Sequence, residues 1–322
     1  MREVCLVTGA NGFVGAALLA GIAAFRRSGG QLIARGAVRA SHGDAKNCSD
    51  FPIVGDINAN TDWQPALADV SVVVHAAARA HIINDGASDP LSAFRTVNVQ
   101  GTLNLAEQAL QAGIRRFIFI SSIGVNGNQT FRHAFISEDI PNPQEPYAVS
   151  KFEAEVGLRR LFANGKAQLV IVRPPLIYGP NAPGNFGRLM EISTRGWPLP
   201  LGAIHNQRSF VALDNLIDLL ITCIDHPGAG NQTFLVSDGQ DMSTTELVRA
   251  LARAAGAATY LLPVPVWALR FMSALVGKRA AVERFCSNLQ VDASKTRLLL
   301  GWTPPVSVQE GLRRAVIPLP KR

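Results

Sequence analysis

The sequence predicts an α/β fold, a doubly wound parallel sheet joined to a smaller C-terminal α/β lobe. Three observations lead there. A short apolar run, Val4 to Val7, breaks at Gly9 and gives way to the helical pattern Val14, Leu18, Leu19 and Ile22. Strand-like runs and helical segments then alternate along the chain, as crossover-connected parallel strands require. The chain has 322 residues, 48% hydrophobic and 17% charged, which is enough for one large core plus a lobe and excludes a disordered polymer.

The first turn runs Gly9-x-x-Gly12-x-x-Gly15. Gly9 permits a tight turn out of the strand, Gly12 a close approach of backbone to a pyrophosphate, and Gly15 close packing of helix on strand. The helix that follows aims its free N–H groups and positive dipole end at the phosphates. Gln31 to Val38, interrupted by Gly36, reads as strand two. No acid stands at its end to take a ribose 2′-hydroxyl; Arg39 and Ser41 follow instead, with Arg35 inside the strand, and this leans the cofactor toward NADP(H). Phe51 to Ile57 reads as strand three, with Asp56 placed to meet an adenine amino group. Val70 to Ala78 is strand four, and its small terminal residues Ala76, Ala77 and Ala78 let backbone lie against a cofactor. His75 reads as a histidine packed into the sheet rather than a catalytic one. Asn98 and Gly101 open a helix that runs through Ala112 and is closed by Gly113. Arg115 to Ile120 is strand five and delivers Ser121 and Ser122 at its tip, and Leu169 to Val172 is strand six.

The net charge is +7, from 31 Lys+Arg against 24 Asp+Glu. A basic surface suits an anionic small molecule such as a nucleotide. No cationic run with interleaved aromatics is present, so nucleic acid is not expected as a partner. Cys5, Cys48, Cys223 and Cys286 are far apart, which argues against a zinc site or a disulfide framework and fits a reducing cytoplasm. No metal is expected. No cleavable leader is expected either, since the first strand begins almost at Met1. Leu261 to Val276 is apolar but cut by Pro263, Pro265 and Arg270, too broken to span a bilayer. It reads as a helix packed on the lobe, with a peripheral membrane contact as the alternative.

The chemistry gathers at Pro146-Tyr147-Ala148-Val149-Ser150-Lys151, which opens a helix running to about Phe162. Tyr147 and Lys151 are four apart and share one face. A phenol with a pKa near 10 is expected to be lowered by an adjacent ammonium. A Ser122 hydroxyl at the same sheet edge can hydrogen-bond the reacting oxygen while a proton moves between substrate and tyrosine.

Thr8 to Gly15, the Ser122/Tyr147/Lys151 set and Arg173-Pro174-Pro175-Leu176-Ile177-Tyr178-Gly179-Pro180 together resemble the extended short-chain dehydrogenase/reductases. Within them the likeness is to the NAD-dependent epimerase/dehydratase branch acting on nucleotide sugars. It covers essentially the whole chain, through Arg208 to Asn215 and Val291 to Lys295 to Leu300-Gly301-Trp302. The resemblance implies a Rossmann domain from residues 1–174 and 208–238, and a nucleotide-sugar lobe from 175–207 and 239–322. It implies catalysis by Ser122, Tyr147 and Lys151. Cofactor contacts would come from Gly9, Asn11, Gly12, Phe13, Val14, Gly15, Arg39, Asp56, Ile57, Ala76, Ala77, Ala78, Asn98, Lys151 and Pro174. Substrate contacts would come from Arg79, Ser122, Tyr147, Asn185 and Arg208, the last pairing with a diphosphate through its planar fork of donors.

Ile123 and Gly124 follow Ser122 where 4,6-dehydratases carry an acid pair, so dehydration is not expected. What remains is hydride transfer between NAD(P)(H) and C4 of a UDP-hexose. The resemblance implies a reductase or dehydrogenase of a UDP-4-keto-6-deoxy-N-acetylhexosamine in bacterial surface polysaccharide synthesis, of the UDP-N-acetylquinovosamine type. The alternatives are a 4-epimerase that retains NAD and, remotely, a dinucleotide-sensing regulator without turnover. A cytoplasmic homodimer is the expectation by analogy.

Overall fold

The computed structural model describes residues 3–40, 51–80, 89–275, 277 and 279–317. Strand β1 (Glu3–Thr8) passes through the glycine turn into α1 (Phe13–Arg27), and β2 (Leu32–Ala37) returns parallel to β1. After α2 (Gln64–Leu67) the chain comes back on the other side of β1 as β3 (Val70–His75). Helix α3 (Pro90–Arg95), a π-helical segment at Thr96–Gly101 and α4 (Thr102–Gln111) form one continuous run into β4 (Arg116–Ile120). Helix α5 (Pro146–Leu161) leads to β5 (Gln168–Arg173) and then β6 (Leu176–Tyr178), α6 (Gly184–Thr194), β7 (Pro198–Leu199) and β8 (Phe210–Ala212). Helix α7 (Leu213–Asp225) and β9 (Gln232–Leu235) complete the main sheet. Helix α8 (Thr244–Ala254), β10 (Tyr260–Leu261), α9 (Val266–Leu275), α10 (Arg279–Cys286), α11 (Ser294–Leu300) and α12 (Val308–Val316) follow.

The six main strands are parallel in the order β2-β1-β3-β4-β5-β9. Their side chains alternate between two buried clusters. Val7, Val72, Val74, Ile118 and Val170 face Leu18, Ile22, Leu216 and Leu220 of α1 and α7. Leu6, Val73, Phe117 and Ile171 face Leu105 of α4, Leu158 of α5 and Trp63. With both faces covered, the strands read as unbroken apolar runs. A third cluster, built on Tyr178, Phe186, Phe210, Leu247, Leu251 and Leu312, joins α6, α8 and α12 to the parallel pair β6–β8. The chain leaves β1 toward β2 and returns to β3 on the opposite side, which places a topological switch point between β1 and β3.

Two elements depart from the sequence expectation. Phe51–Ile57 is not a strand: it makes one parallel bridge, Ile53 to Val38, and Ile53 is exposed. Pro52 lacks a ladder donor and Gly55 sits at φ +69°, so pairing cannot extend. Asn98 and Gly101 do not open a helix but lie inside one, in the π-helical segment, and the helix itself begins at Pro90 under an Asp89 cap. Gly101 is required there because a Cβ would collide with the Ile57 side chain. The expected stop of the helix at Gly113 is found. Gly113 closes α4 at φ +80°, and Ser243 with Glu246 forms a reciprocal capping box on α8. Ser41, Cys48 and His81 lie outside the described residues, and among the described residues the cysteines are free thiols.

Candidate active site

The glycine turn meets the end of β3 at the switch point. Gly9 adopts φ +66°, and a Cβ there would lie 2.9 Å from the Ala77 backbone, so the two strand ends touch main chain to main chain. A Cβ on Gly15 would come within 2.7 Å of the Gly9 carbonyl carbon and closer still to its oxygen. Only glycine lets α1 start this near β1. Gly12 is the N-cap of α1 and has no side chain to cap it, and its own N–H donates to the Gly9 carbonyl at 2.8 Å. The first-turn N–H groups of α1 are therefore left for an external anion. This cradle fits the diphosphate of a dinucleotide.

Thr8 ties the cradle down. Its hydroxyl accepts from the Ala77 N–H at 3.1 Å and lies 2.7 Å from His75 Nδ1, while His75 Nε2 is 2.9 Å from the Thr102 hydroxyl. Burial, with the Lys151 cation adding to it, pushes the His75 pKa down to about 3. The ring is neutral at physiological pH and structural, as its place in the strand suggested.

The adenosine side shows an ion pair that the sequence did not suggest. Arg39 Nε is 2.9 Å from Asp56 Oδ1, both side chains being largely exposed. Each residue was expected to face the cofactor separately, Arg39 toward a 2′-phosphate. Here the two pair with each other, Asp56 meeting Arg39 from a loop seventeen positions later.

Tyr147 and Lys151 lie one turn apart near the start of α5, as the spacing requires. Lys151 is buried, with its Nζ 4.1 Å from the centroid of Phe119, whose other neighbour is His75 at 6.0 Å. Burial depresses Lys151 to about 7 against an opposing pull from Glu155. Tyr147 packs its ring edge-on to Phe94 at 6.0 Å, and burial pushes its phenol up to about 12. The lowered tyrosine pKa expected from sequence is not found for the protein alone: burial disfavours the phenolate and raises it. The pair instead holds an ammonium that exchanges its proton near neutrality one turn from a phenol that keeps its own.

Ser122 stands in extended backbone beyond β4, and its hydroxyl accepts from the Gly124 N–H at 3.1 Å. The Ile123 N–H donates to the Pro174 carbonyl at 3.0 Å, so the tips of β4 and β5 fix this turn jointly. Asn98 accepts from the Arg79 N–H at 2.8 Å and donates to the Arg79 carbonyl and to the Ser150 hydroxyl at 3.0 Å; that hydroxyl donates to the Tyr147 carbonyl. One asparagine, pushed inward by the π turn, joins the β3 exit to the catalytic helix. The Arg79 guanidinium lies 5.9 Å from the Phe94 ring centroid. Arg208 donates to the carbonyls of Arg284 and Ser287 at 2.7 and 3.1 Å, and burial lowers its pKa to about 10. The Asn185 side chain lies outside the described residues.

Beneath the site lies a network that sequence reasoning missed. Glu155, one turn beyond Lys151, receives two bonds from Arg173, at 2.8 and 2.6 Å, and a third from the Ser121 hydroxyl at 2.6 Å. Arg173 also donates to Asn126 at 2.9 Å. The pair is almost wholly buried, at 1% and 3% exposure. A glutamate four residues after a buried lysine, on the same helical stripe, was the signal available. Among the described residues no cluster of His, Cys, Asp and Glu could hold a metal ion.

Residues 5–237 match the model of the NAD dependent epimerase/dehydratase family. The chain belongs to that family. It is 46% identical over 316 residues to a UDP-glucose 4-epimerase of Vibrio cholerae, covering 98% of this chain and 94% of that protein. It is 30% identical over 325 residues to a UDP-glucose 4-epimerase of Mycolicibacterium smegmatis, covering 97% and 96%. A crystal structure of UDP-glucuronic acid 4-epimerase from Bacillus cereus, in complex with UDP-glucuronic acid and NAD, superposes with a TM-score of 0.76 at 23% identity over 98% of each chain. That likeness shows the shared fold. The protein is thus an enzyme of the nucleotide-sugar epimerase/dehydratase type, in an NAD-dependent family.

Proposed function

We propose that this chain is a 4-epimerase of a UDP-hexose that keeps NAD bound through its cycle. The observation that carries the reading is the 46% identity, end to end, with a UDP-glucose 4-epimerase. The site supports it. Arg39 is engaged by Asp56, which weakens the case for a 2′-phosphate and so for NADP(H). Ile123 and Gly124 leave no acid beside Ser122 for dehydration.

NAD, when bound, supplies the acceptor and later the donor of hydride at C4. The glycine cradle of Gly9, Gly12 and Gly15, with Asn11, Phe13 and Val14 at the start of α1, would hold its diphosphate. Asp56 and Ile57, Ala76 to Ala78, Asn98, Lys151 and Pro174 would line the rest. Tyr147, ionised once the site is loaded, takes the proton from the sugar 4-hydroxyl and returns it to that same oxygen after the 4-keto sugar has turned its other face. Ser122 hydrogen-bonds the same oxygen and steadies its charge. Lys151, able to exchange a proton near pH 7, offsets the cost of burying a phenolate. Arg79, Asn185 and Arg208 would hold the uridine diphosphate, with residues 175–207 and 239–322 forming the lobe that covers it.

The purified protein, incubated with UDP-glucose or UDP-N-acetylglucosamine and no added cofactor, is expected to yield the 4-epimer by NMR. Reduction of a UDP-4-keto-6-deoxy-N-acetylhexosamine that consumes added NAD(P)H, with no epimer formed, would make it the exchanging reductase instead. Tight dinucleotide binding with turnover of neither sugar would point to the sensing role.

A further inference from the structure

Helix α5 opens on Glu145, two residues before Tyr147, yet this N-cap side chain makes no capping bond to its own helix. Its carboxylate reaches away from the main sheet and pairs at 2.6 Å with Arg284, in the last turn of α10. That turn belongs to the lobe, since Phe285 packs on the third cluster. Both side chains of the pair stay half-exposed, so a substitution at either leaves the core untouched.

The other end of this contact lies at Arg208. The last carbonyls of a helix lack partners within it, and at α10 donors from the loop before β8 take them. Arg208 bonds the Arg284 and Ser287 carbonyls, and Asn206 Nδ2 bonds those of Phe285 and Ser287 at 3.0 and 2.9 Å. The Thr244 hydroxyl donates to the Phe285 carbonyl at 2.6 Å. Arg284 therefore faces both ways: its carbonyl receives the arginine expected at the diphosphate, and its guanidinium holds the start of the catalytic helix. The same lobe segment runs along the connection between β4 and α5. The Thr130 N–H donates to the Asn288 carbonyl at 2.9 Å, and the Phe135 N–H to that of Gln290 at 2.8 Å. The Asp292 N–H donates to the Phe135 carbonyl at 2.9 Å, and Lys295 pairs with Glu138 at 2.7 Å. Residues 284–295 are thus fastened to the stretch 130–145, which lies between Ser122 and Tyr147.

We infer that Arg284 is a positioning residue for Tyr147: through Glu145 it ties the first turn of α5 to the lobe segment that Arg208 holds, so that seating a diphosphate at Arg208 steadies the proton carrier. This rests on the reading of the site as one for a UDP-hexose. Binding energy from a part of the substrate that does not react is spent in this way on orientation at the part that does. An ion pair between half-exposed side chains adds little to overall stability, and its size suits a change of about two- to fivefold in a rate or an equilibrium.

Amide hydrogen exchange is followed by mass spectrometry on the full chain, with and without saturating UDP, for the parent and for Glu145→Gln, Arg284→Gln and Arg284→Lys. In the parent, UDP is expected to slow exchange about two- to fivefold both around Arg208 and in residues 146–152. In the two glutamine variants UDP should still protect the Arg208 region but no longer residues 146–152, and Arg284→Lys, which keeps a cation for Glu145, should regain that protection. Turnover at saturating UDP-sugar should fall about two- to fivefold in the glutamine variants, with KM and the melting point unchanged. A parent that binds UDP but protects only the lobe overturns the inference and leaves the UDP-hexose reading standing. A parent that binds no UDP overturns that reading, and the inference with it. Undiminished protection of 146–152 in the glutamine variants, or no recovery in Arg284→Lys, also overturns the inference. So does a lowered melting point with both protections lost together, which would make the pair merely structural.

Discussion

Replacing Glu155 by alanine tests whether the buried pair beneath the site is what holds it in shape. Glu155 and Arg173 are 1% and 3% exposed, and the carboxylate takes two bonds from the guanidinium and one from Ser121. The substitution leaves the Arg173 cation in the interior, still donating to the Asn126 side chain. An uncompensated buried charge of this kind costs about 3–5 kcal/mol. That is a large share of the ~5–15 kcal/mol that holds a typical protein together. For a chain of this size it corresponds to a fall of about 4–7 °C in the thermal midpoint, read by calorimetry. Adding Arg173→Met to Glu155→Ala removes the stranded charge and should recover more than half of the loss, a coupling that a double-mutant cycle isolates. Ser121 would lose its acceptor one residue before Ser122, so turnover should fall even below the melting range. The reasoning is refuted if the single variant melts within about 2 °C of the parent, or if the second substitution costs further stability rather than restoring it.

Tyr147→Phe keeps the ring against Phe94 but removes the proton carrier, so turnover should drop by about 10²–10⁴ while the melting profile and cofactor retention stay put; residual activity above a tenth of the parent's would sink the assignment. Lys151→Met bears on pH. The folded pKa, near 7, lies below the ordinary lysine value of 10.5, so between these values the unfolded chain binds more protons and stability rises with pH. Below pH 7 the full cost of burying the cation is present. The methionine variant should therefore melt higher than the parent at neutral pH and lack that rise; parallel stability curves for the two proteins would refute it. Gly15→Ala pushes a Cβ into the Gly9 carbonyl, which should cost about 1–3 kcal/mol and displace the helix start from the phosphate site. Absorbance of NAD released on denaturation should fall in step, and unchanged NAD retention would count against the cradle.

Much of this was legible in the order of residues. The strand–turn–helix at Gly9 to Gly15 was readable because a main-chain close approach excludes every side chain, so the glycines announce it. Tyr147 and Lys151 were readable because a helix turns a spacing of four into a shared face. The capping box at Ser243 is equally local. Phe51–Ile57 misled because its apolar content looks like a strand, while Pro52 and Gly55 decide how far pairing can run. Asn98 was found as a residue but not in its role, since nothing in its neighbours signals a π turn. Glu155 was passed over because its partner lies eighteen residues away on strand β5.

The sequence by itself determined the parallel sheet, the phosphate cradle and which helix carries the chemistry, because each depends on periodicity and on backbone freedom that neighbouring residues set. Tertiary structure decided what the burial of those groups does to them. It raised the phenol of Tyr147, lowered the ammonium of Lys151, and paired Arg39 with Asp56, Glu155 with Arg173 and Glu145 with Arg284. Those outcomes depend on desolvation and on contacts between segments distant in the chain, and neither is written in local order.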